Sequence, residues 1–267
     1  MLLAMGALTV LGAGALLSYR PSDPPNPAPV KWVEPEEPAC AERRFEGSRF
    51  TVCRLDARRD TLRITYQDAA GRPLRRLSAL ERALGPDAAA VRFATNAGMF
   101  DEAGAPIGLF VADGRTRKTI NLRDGSGNFH LKPNGVFAQG ADGRVHVVAA
   151  ESFAARVPKP RWATQSGPML VIDGKLHPKF DADGESRLFR NGVGVSDPHT
   201  AWFAISEGGV SFGKFARFFR DALGCPNALF LDGSVSSLWH PAEGRQDDVA
   251  DLGPMVVVTR AGTETQR

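Results

Sequence analysis

The sequence is short of the features that give most functions away. Its 33 basic residues stand against 30 acidic ones, a net charge of +3, and no lysine/arginine stripe alternates with aromatics. That near balance argues against a nucleic-acid partner. The five histidines show no H-E-x-x-H or other ligand spacing, and the three cysteines form no C-x-x-C, so no dedicated metal motif is present. G-x-S-x-G is missing, and with it the usual serine-hydrolase elbow. G-x-x-x-x-G-K-[ST] is missing too, and the glycines around 125–129 lack the following helix pattern that a phosphate loop needs. No cofactor is expected from these motifs.

What is present is an ordinary globular composition, 43% hydrophobic and 24% charged over 267 residues, enough for one large domain or two small ones. Residues 1–18 carry no charge, and a proline-rich tract follows directly at 20–38. We read 1–19 as a signal peptide or an N-terminal membrane anchor and 20–39 as an extended linker. A folded domain is then expected over 40–262, with a short tail at 263–267. This arrangement predicts a periplasmic or otherwise extracytoplasmic location, with 1–18 as the possible membrane tether. Cys40 and Cys53 flank a segment able to fold back as a hairpin, so a disulfide between them is plausible, two free thiols being the alternative. Cys225 reads as a buried free thiol.

From residue 45 onward the pattern is mainly strands with turn punctuation, and no internal repeat or linker interrupts it. The expected fold is α+β: a single domain of twisted mixed or antiparallel sheets with a few helices. Alternation marks 61–67 as a half-buried strand, and 91–95, 201–206, 227–231 and 254–260 read as further strands. Ser78 and Glu81 form a capping-box pattern for a short helix ended by Gly85-Pro86. Phe212, Phe215, Ala216 and Phe219 recur at helical spacing between a capping Ser211 and a closing Gly224.

Asp-Gly, a common hairpin signal, occurs six times. Most of these pairs follow an apolar run as turns do. Asp232-Gly233 differs, because a hydroxyl-rich run, Ser234-Val-Ser236-Ser237, follows it. Three serines beside one carboxylate can orient it or bind a ligand's oxygens. Asp232 also belongs to a recurring arrangement in which an apolar strand ends at a polar residue followed by small ones. The others are Asn96, Ser166, Asn191 and Glu207. If these ends converge, they form a pocket floor of amides, hydroxyls and carboxylates; taken singly, each reads equally well as a turn.

The ordered segments NAGMF (96–100), PIGLFVADG (106–114), GNFHLKPNGVF (127–137), ATQSGPMLVIDG (163–174), RNGVGV (190–195) and NALFLDGSVSSLW (227–239) resemble the phosphodiester glycosidase family, in particular its bacterial, often periplasmic branch labelled exopolysaccharide-related. The resemblance covers roughly 40–260. It implies an α+β fold with the site at strand ends, and cleavage of a glycosyl phosphodiester, or an envelope polysaccharide containing one, on the sugar side. Matched position by position, it points to Asn96, Ser166, Gly167, Arg190, Asp232, Ser236 and Ser237. Two residues depart from its motifs: Ala97 stands where Gly is usual, and Ser234 replaces a second Gly after Asp232. Each adds atoms where a ligand would press against backbone.

The chemistry expected from this resemblance passes through an oxocarbenium-like state stabilised by a carboxylate. Asp232 is the candidate nucleophile, base or electrostatic stabiliser, and Glu207 the candidate second carboxylate. Arg190, whose fork can grip two oxygens, is the candidate phosphate holder, with a surface or structural ion pair as its alternative role. Asn96, Ser166 and Ser237 would bind sugar or phosphate oxygens, with Lys118 and Asn134 as further lining residues. A non-catalytic envelope glycan- or phosphosugar-binding domain is the alternative function.

Overall fold

The structure, a computed structural model, describes residues 38–262. The signal or anchor at 1–19, the linker up to residue 37 and the tail at 263–267 lie outside the described residues.

Three antiparallel sheets build the domain. The largest has seven strands in the order Cys40–Phe45, Ser48–Asp56, Thr200–Ser206, Asn191–Asp197, Asn227–Phe230, Met169–Ile172, Lys175–Leu176. A second, of five, runs Arg245–Gln246, Leu238–His240, Val91–Asn96, Met255–Arg260, Asp60–Thr65. The third, also of five, runs Arg115–Lys118, Phe110–Ala112, Pro160–Ser166, Gly135–Gly140, Val145–Ala149. Alternation along each strand gives every sheet two apolar faces with different partners. One face of each meets the other two in a common core, to which Val193, Phe203 and Leu229, then Ile64, Phe93 and Val256, then Phe110, Phe137 and Val147 contribute in turn. The opposite face of each sheet is covered by a short helix. Phe215, Phe218 and Phe219 cover the first, Leu77 and Leu80 the second, and Phe153 the third.

The two expected helices form, each with a feature that the pattern did not contain. The Leu77–Leu84 helix ends at Gly85 with φ of 56°, but its N-terminus carries no local side-chain cap. Asp248 caps it instead, accepting from the Leu77 and Ser78 amides at 2.9 and 3.3 Å. A cap supplied 170 residues away leaves no local signature, which is why Ser78 looked like the cap. The second helix is capped as expected, Ser211 Oγ accepting from the Lys214 amide at 3.1 Å. It is regular over Phe212–Arg217 and then widens into a π-helical turn, Phe218–Ala222. Successive residues Phe218 and Phe219 are both buried there.

Cys40 and Cys53 face each other across the first two strands and are disulfide-bonded. Cys225 is a buried free thiol, its pKa pushed up to about 12 by burial. Among the described residues, no helix is long and apolar enough to cross a membrane.

Candidate active site

Four strand ends meet at the side chain of Asn96. Its Oδ1 accepts from Asn191 Nδ2 at 2.7 Å and from the Ser237 amide at 3.0 Å. Its Nδ2 donates to the Asp232 carbonyl at 2.7 Å. The Asp232 amide in turn donates to the Ala97 carbonyl at 3.2 Å. Asn96, Asn191 and Ser237 are buried, so these bonds form in a low-dielectric setting where losing one partner strands the others. The amide of Asn96 thus ties the second sheet to the first at the point where Asp232 leaves its strand.

Asp232-Gly233 is not a hairpin turn. At Asp113-Gly114 and Asp173-Gly174 both residues have positive φ, as a primed turn requires. Asp232 has φ of −77° and caps a 3₁₀ turn over Gly233–Val235. Gly233 is required for contact: a Cβ there would lie 2.9 Å from the Phe189 carbonyl and 2.8 Å from the Phe230 ring. The Asp232 carboxylate is half-buried and accepts from the Ser234 amide at 3.3 Å. Desolvation raises its pKa above the usual carboxylate value, and hydrogen bonds from Ser234 offset this in part. Among the described residues no cation lies within 4.0 Å of it.

A second group flanks this one. The Phe230 amide donates to the Pro168 carbonyl at 3.0 Å, so the Ser166-Gly167-Pro168 segment runs beside the strand that ends at Asp232. Gly98 lies against the end of the Pro160–Ser166 strand, since a Cβ there would fall 2.4 Å from Thr164 Oγ1 and from the Gln165 carbonyl. Ser166 Oγ, Thr164 Oγ1 and Asn191 Oδ1 are buried with no hydrogen-bond partner, and such orphans call for a reason. Gln165 binds in several directions at once, accepting from Leu109 and Asn121 amides at 2.9 Å and donating to the Asn121 carbonyl at 2.7 Å. Asn134 is buried and bonded to the Phe129 carbonyl at 2.9 Å, and it packs against Gly167.

Other expected site residues are placed differently. Ser236 and Ser237 do not orient Asp232; their hydroxyls donate to the Gly233 and Val235 carbonyls at 2.8 Å and brace the 3₁₀ turn. The strand ladder Gly192↔Phe230, continued by two residues, brings Arg190 level with Asp232. Its guanidinium is nevertheless not an open two-pronged clamp. Nε donates to the Val210 carbonyl at 2.8 Å and Nη2 to the Ser186 carbonyl at 3.0 Å, with the group 3.5 Å over the Phe212 ring. Nor is it in an ion pair: among the described residues no carboxylate lies within 4.0 Å, and burial pushes its pKa down to about 10. Glu207 sits in a separate network, where Oε1 accepts from Thr51 Oγ1 at 2.6 Å and Arg245 Nη1 at 2.7 Å. Burial works to raise its pKa, but these two donors hold it below the usual value. Lys118 is exposed at the end of Arg115–Lys118, on the wall of a cleft of about 470 Å³.

Asn191 and Gln165 are the residues whose importance the sequence understated. Both lie inside the quoted motifs, and Asn191 already stood among the strand ends. Its contact with Asn96 spans 95 positions, which spacing alone does not reveal. Among the described residues, no group of three or more His, Cys, Asp or Glu side chains gathers to hold a metal ion.

The phosphodiester glycosidase family model matches residues 89–256, a span that contains Asn96, Ser166, Arg190, Asn191, Asp232 and Ser237. The chain belongs to this family. It is 35% identical over 149 residues to the uncharacterized protein YigE of Escherichia coli (strain K12), a match covering 56% of this chain and 58% of that relative. The match therefore spans little more than half of the curated relative's length. The fold resembles the catalytic domain of zebrafish N-acetylglucosamine-1-phosphodiester alpha-N-acetylglucosaminidase, auto-inhibited by its pro-peptide, with a TM-score of 0.56 at 13% identity over 82% of this chain and 81% of that one. A hypothetical protein from Synechocystis gives 0.54 at 16% identity over 83% and 61%. At such identities the likeness speaks for the fold alone.

The two departures from the phosphodiester glycosidase motifs are placed without strain. Ala97 is fully buried within the common apolar core. Ser234 is exposed and has ordinary backbone geometry, its amide and hydroxyl both serving Asp232.

Proposed function

We propose that the protein hydrolyses the bond between sugar C1 and the phosphate oxygen of a glycosyl phosphodiester, with Asp232 as the carboxylate that stabilises or attacks the anomeric carbon. The observation that carries this reading is Asp232 itself: a half-buried carboxylate without a cation, fixed where Asn96 locks four strand ends together. A desolvated carboxylate interacts strongly with positive charge developing at C1. The bond that breaks is C1–O. Its electron pair leaves on the phosphate, and water delivers hydroxide to C1 and a proton to solvent. Phosphate is a weakly basic leaving group, with a second pKa near 6, so it departs without a general acid. One well-placed carboxylate therefore suffices, in keeping with Glu207 being held ionised by Thr51 and Arg245.

In this reading Arg190 provides a buried positive charge level with Asp232 that acts on the diester phosphate through space and not by direct contact. Asn96 positions Asp232, and Ser166 Oγ and Thr164 Oγ1 are hydrogen-bond partners for sugar or phosphate oxygens. An extracytoplasmic location is supported by the Cys40–Cys53 disulfide. The test is turnover of a panel of glycosyl-1-phosphodiesters by the full chain and by Asp232→Asn, with folding checked by circular dichroism. Sugar release by the wild type and its loss in the folded variant are expected. Equal turnover by the two proteins would remove Asp232 from the chemistry, and binding without release would make the protein a glycan-binding domain.

A further inference from the structure

One of the chain's cationic stretches borders a cleft. The segment 115–132 holds five basic residues and one acidic, a net +4 against +3 for the whole chain. Four of these cations, Arg115, Arg117, Lys118 and Arg123, have no carboxylate within 4.0 Å among the described residues. Lys118 and Arg123 line the cleft of about 470 Å³, together with Asn121, His130, Asp101, Asp124 and Ile107. The two acids there are engaged already. Asp124 accepts from Lys132 Nζ at 2.7 Å, and Asp101 Oδ1 accepts from the Ala105 amide at 2.9 Å. Only Asp124 is neutralised, by Lys132, which leaves Lys118 and Arg123 against Asp101 alone; a concave site with one positive charge in excess attracts anions.

This cleft is a neighbour of Asp232. Ala97, whose carbonyl holds the Asp232 amide, is four residues from Asp101 in the cleft wall, at most about 14 Å of extended chain. Gln165 joins the two regions, since it bonds Asn121 in the cleft and precedes Ser166. The loop is also braced internally: Arg123 Nε donates to Asn121 Oδ1 at 3.4 Å, and His130 Nδ1 lies 3.0 Å from the Arg123 carbonyl.

We propose that this cleft is the aglycone subsite, and that the leaving half of the substrate carries an oxyanion, phosphate or carboxylate, beyond the diester itself. Lys118 and Arg123 bind that group. Which half of the substrate lies here rests on the hydrolytic reading above, whereas the anion binding does not. The competing explanation is that cations on the edge strand Arg115–Lys118 serve to discourage strand pairing with other chains.

Two measurements on the full chain separate these. The first is equilibrium binding of glucose 6-phosphate, glucuronate and neutral glucose to wild type and to Lys118→Ala/Arg123→Ala, at low and high salt. The expected result is about tenfold tighter binding of the anions by the wild type, a preference lost in the double variant and weakened by salt. No charge preference, or one that survives in the variant, overturns the subsite and leaves edge protection as the role. A phosphate-only or carboxylate-only preference identifies the group. The second is the ratio of kcat/KM for diesters with charged and neutral aglycones, expected to fall about tenfold in the double variant. An unchanged ratio also overturns the assignment. If no diester is turned over but anion binding still depends on Lys118 and Arg123, the hydrolytic reading fails and the anion site stands.

Discussion

Asp232 and Glu207 begin as the same pattern in sequence: a carboxylate closing an apolar strand, followed by small residues. The fold tunes them in opposite directions. Glu207 meets a hydroxyl and a guanidinium, which hold it ionised although burial works against the charge. Asp232 meets Ser234 and otherwise loses water, so its charged form is disfavoured. Strand-end position therefore supplies a carboxylate at a seam between sheets, while the opposing side chains decide whether its charged form is favoured or disfavoured.

The largest effect that tests this contrast is on turnover. Asp232→Asn is expected to lower kcat/KM on glycosyl phosphodiesters by about 10²–10³-fold, the scale of losing one transition-state electrostatic partner. Glu207→Gln should stay within about tenfold of wild type. Reversal of that order would exchange the roles. Stability should show the contrast with opposite sign. A carboxyl whose folded pKa is raised binds more protons folded than unfolded, so stability falls as pH rises from 3.8 through the folded pKa. Asp232→Asn is thus expected to melt above wild type at neutral pH and to match it below pH 3.8, as thermal denaturation across pH would show.

The next effect comes from the hub. Asn96→Ala leaves the Ser237 amide without its partner, and leaves Asn191 Nδ2 and the Asp232 carbonyl with only long bonds of 3.4 Å, at a cost of about 2–3 kcal/mol. Denaturant unfolding measures it, and a loss under 1 kcal/mol would show that the strand ends hold together without Asn96. Glu207→Gln is smaller, about 1 kcal/mol, because Arg245 keeps Asp247 at 2.9 Å. Its sign follows from a lowered folded pKa: the wild-type advantage is full above pH 4.5 and disappears as pH falls through the folded value below it.

Much of this arrangement was legible because strands are written locally. The alternation over 61–67, the positive-φ Asp-Gly pairs and the Ser211 cap concern residues within a few positions of one another. The set of motifs also marked Asp232, Asn96 and Ser166. What could not be read was the partner across the fold. Asp248 capping a helix, Asn191 reaching Asn96, and Thr51 and Arg245 claiming Glu207 all span long stretches of chain. Arg190 shows the same limit: its charge was visible, but not the two backbone carbonyls and the phenylalanine that occupy it.

The smallest prediction is the sharpest about tuning. Ser234 acts on Asp232 through its amide, which any residue has, and through its hydroxyl, which lowers the raised pKa. Ser234→Ala and Ser234→Gly both delete the hydroxyl, the second restoring the glycine usual in the family. Each should move the acid limb of the kcat/KM profile to higher pH, because the proposed hydrolysis uses Asp232 as the carboxylate and a higher pKa leaves it protonated over a wider range. Loss of one hydrogen bond keeps the change at neutral pH below about tenfold. The two variants should agree with each other. If glycine shifts the limb and alanine does not, the backbone of the 3₁₀ turn, not the hydroxyl, sets the acidity of Asp232.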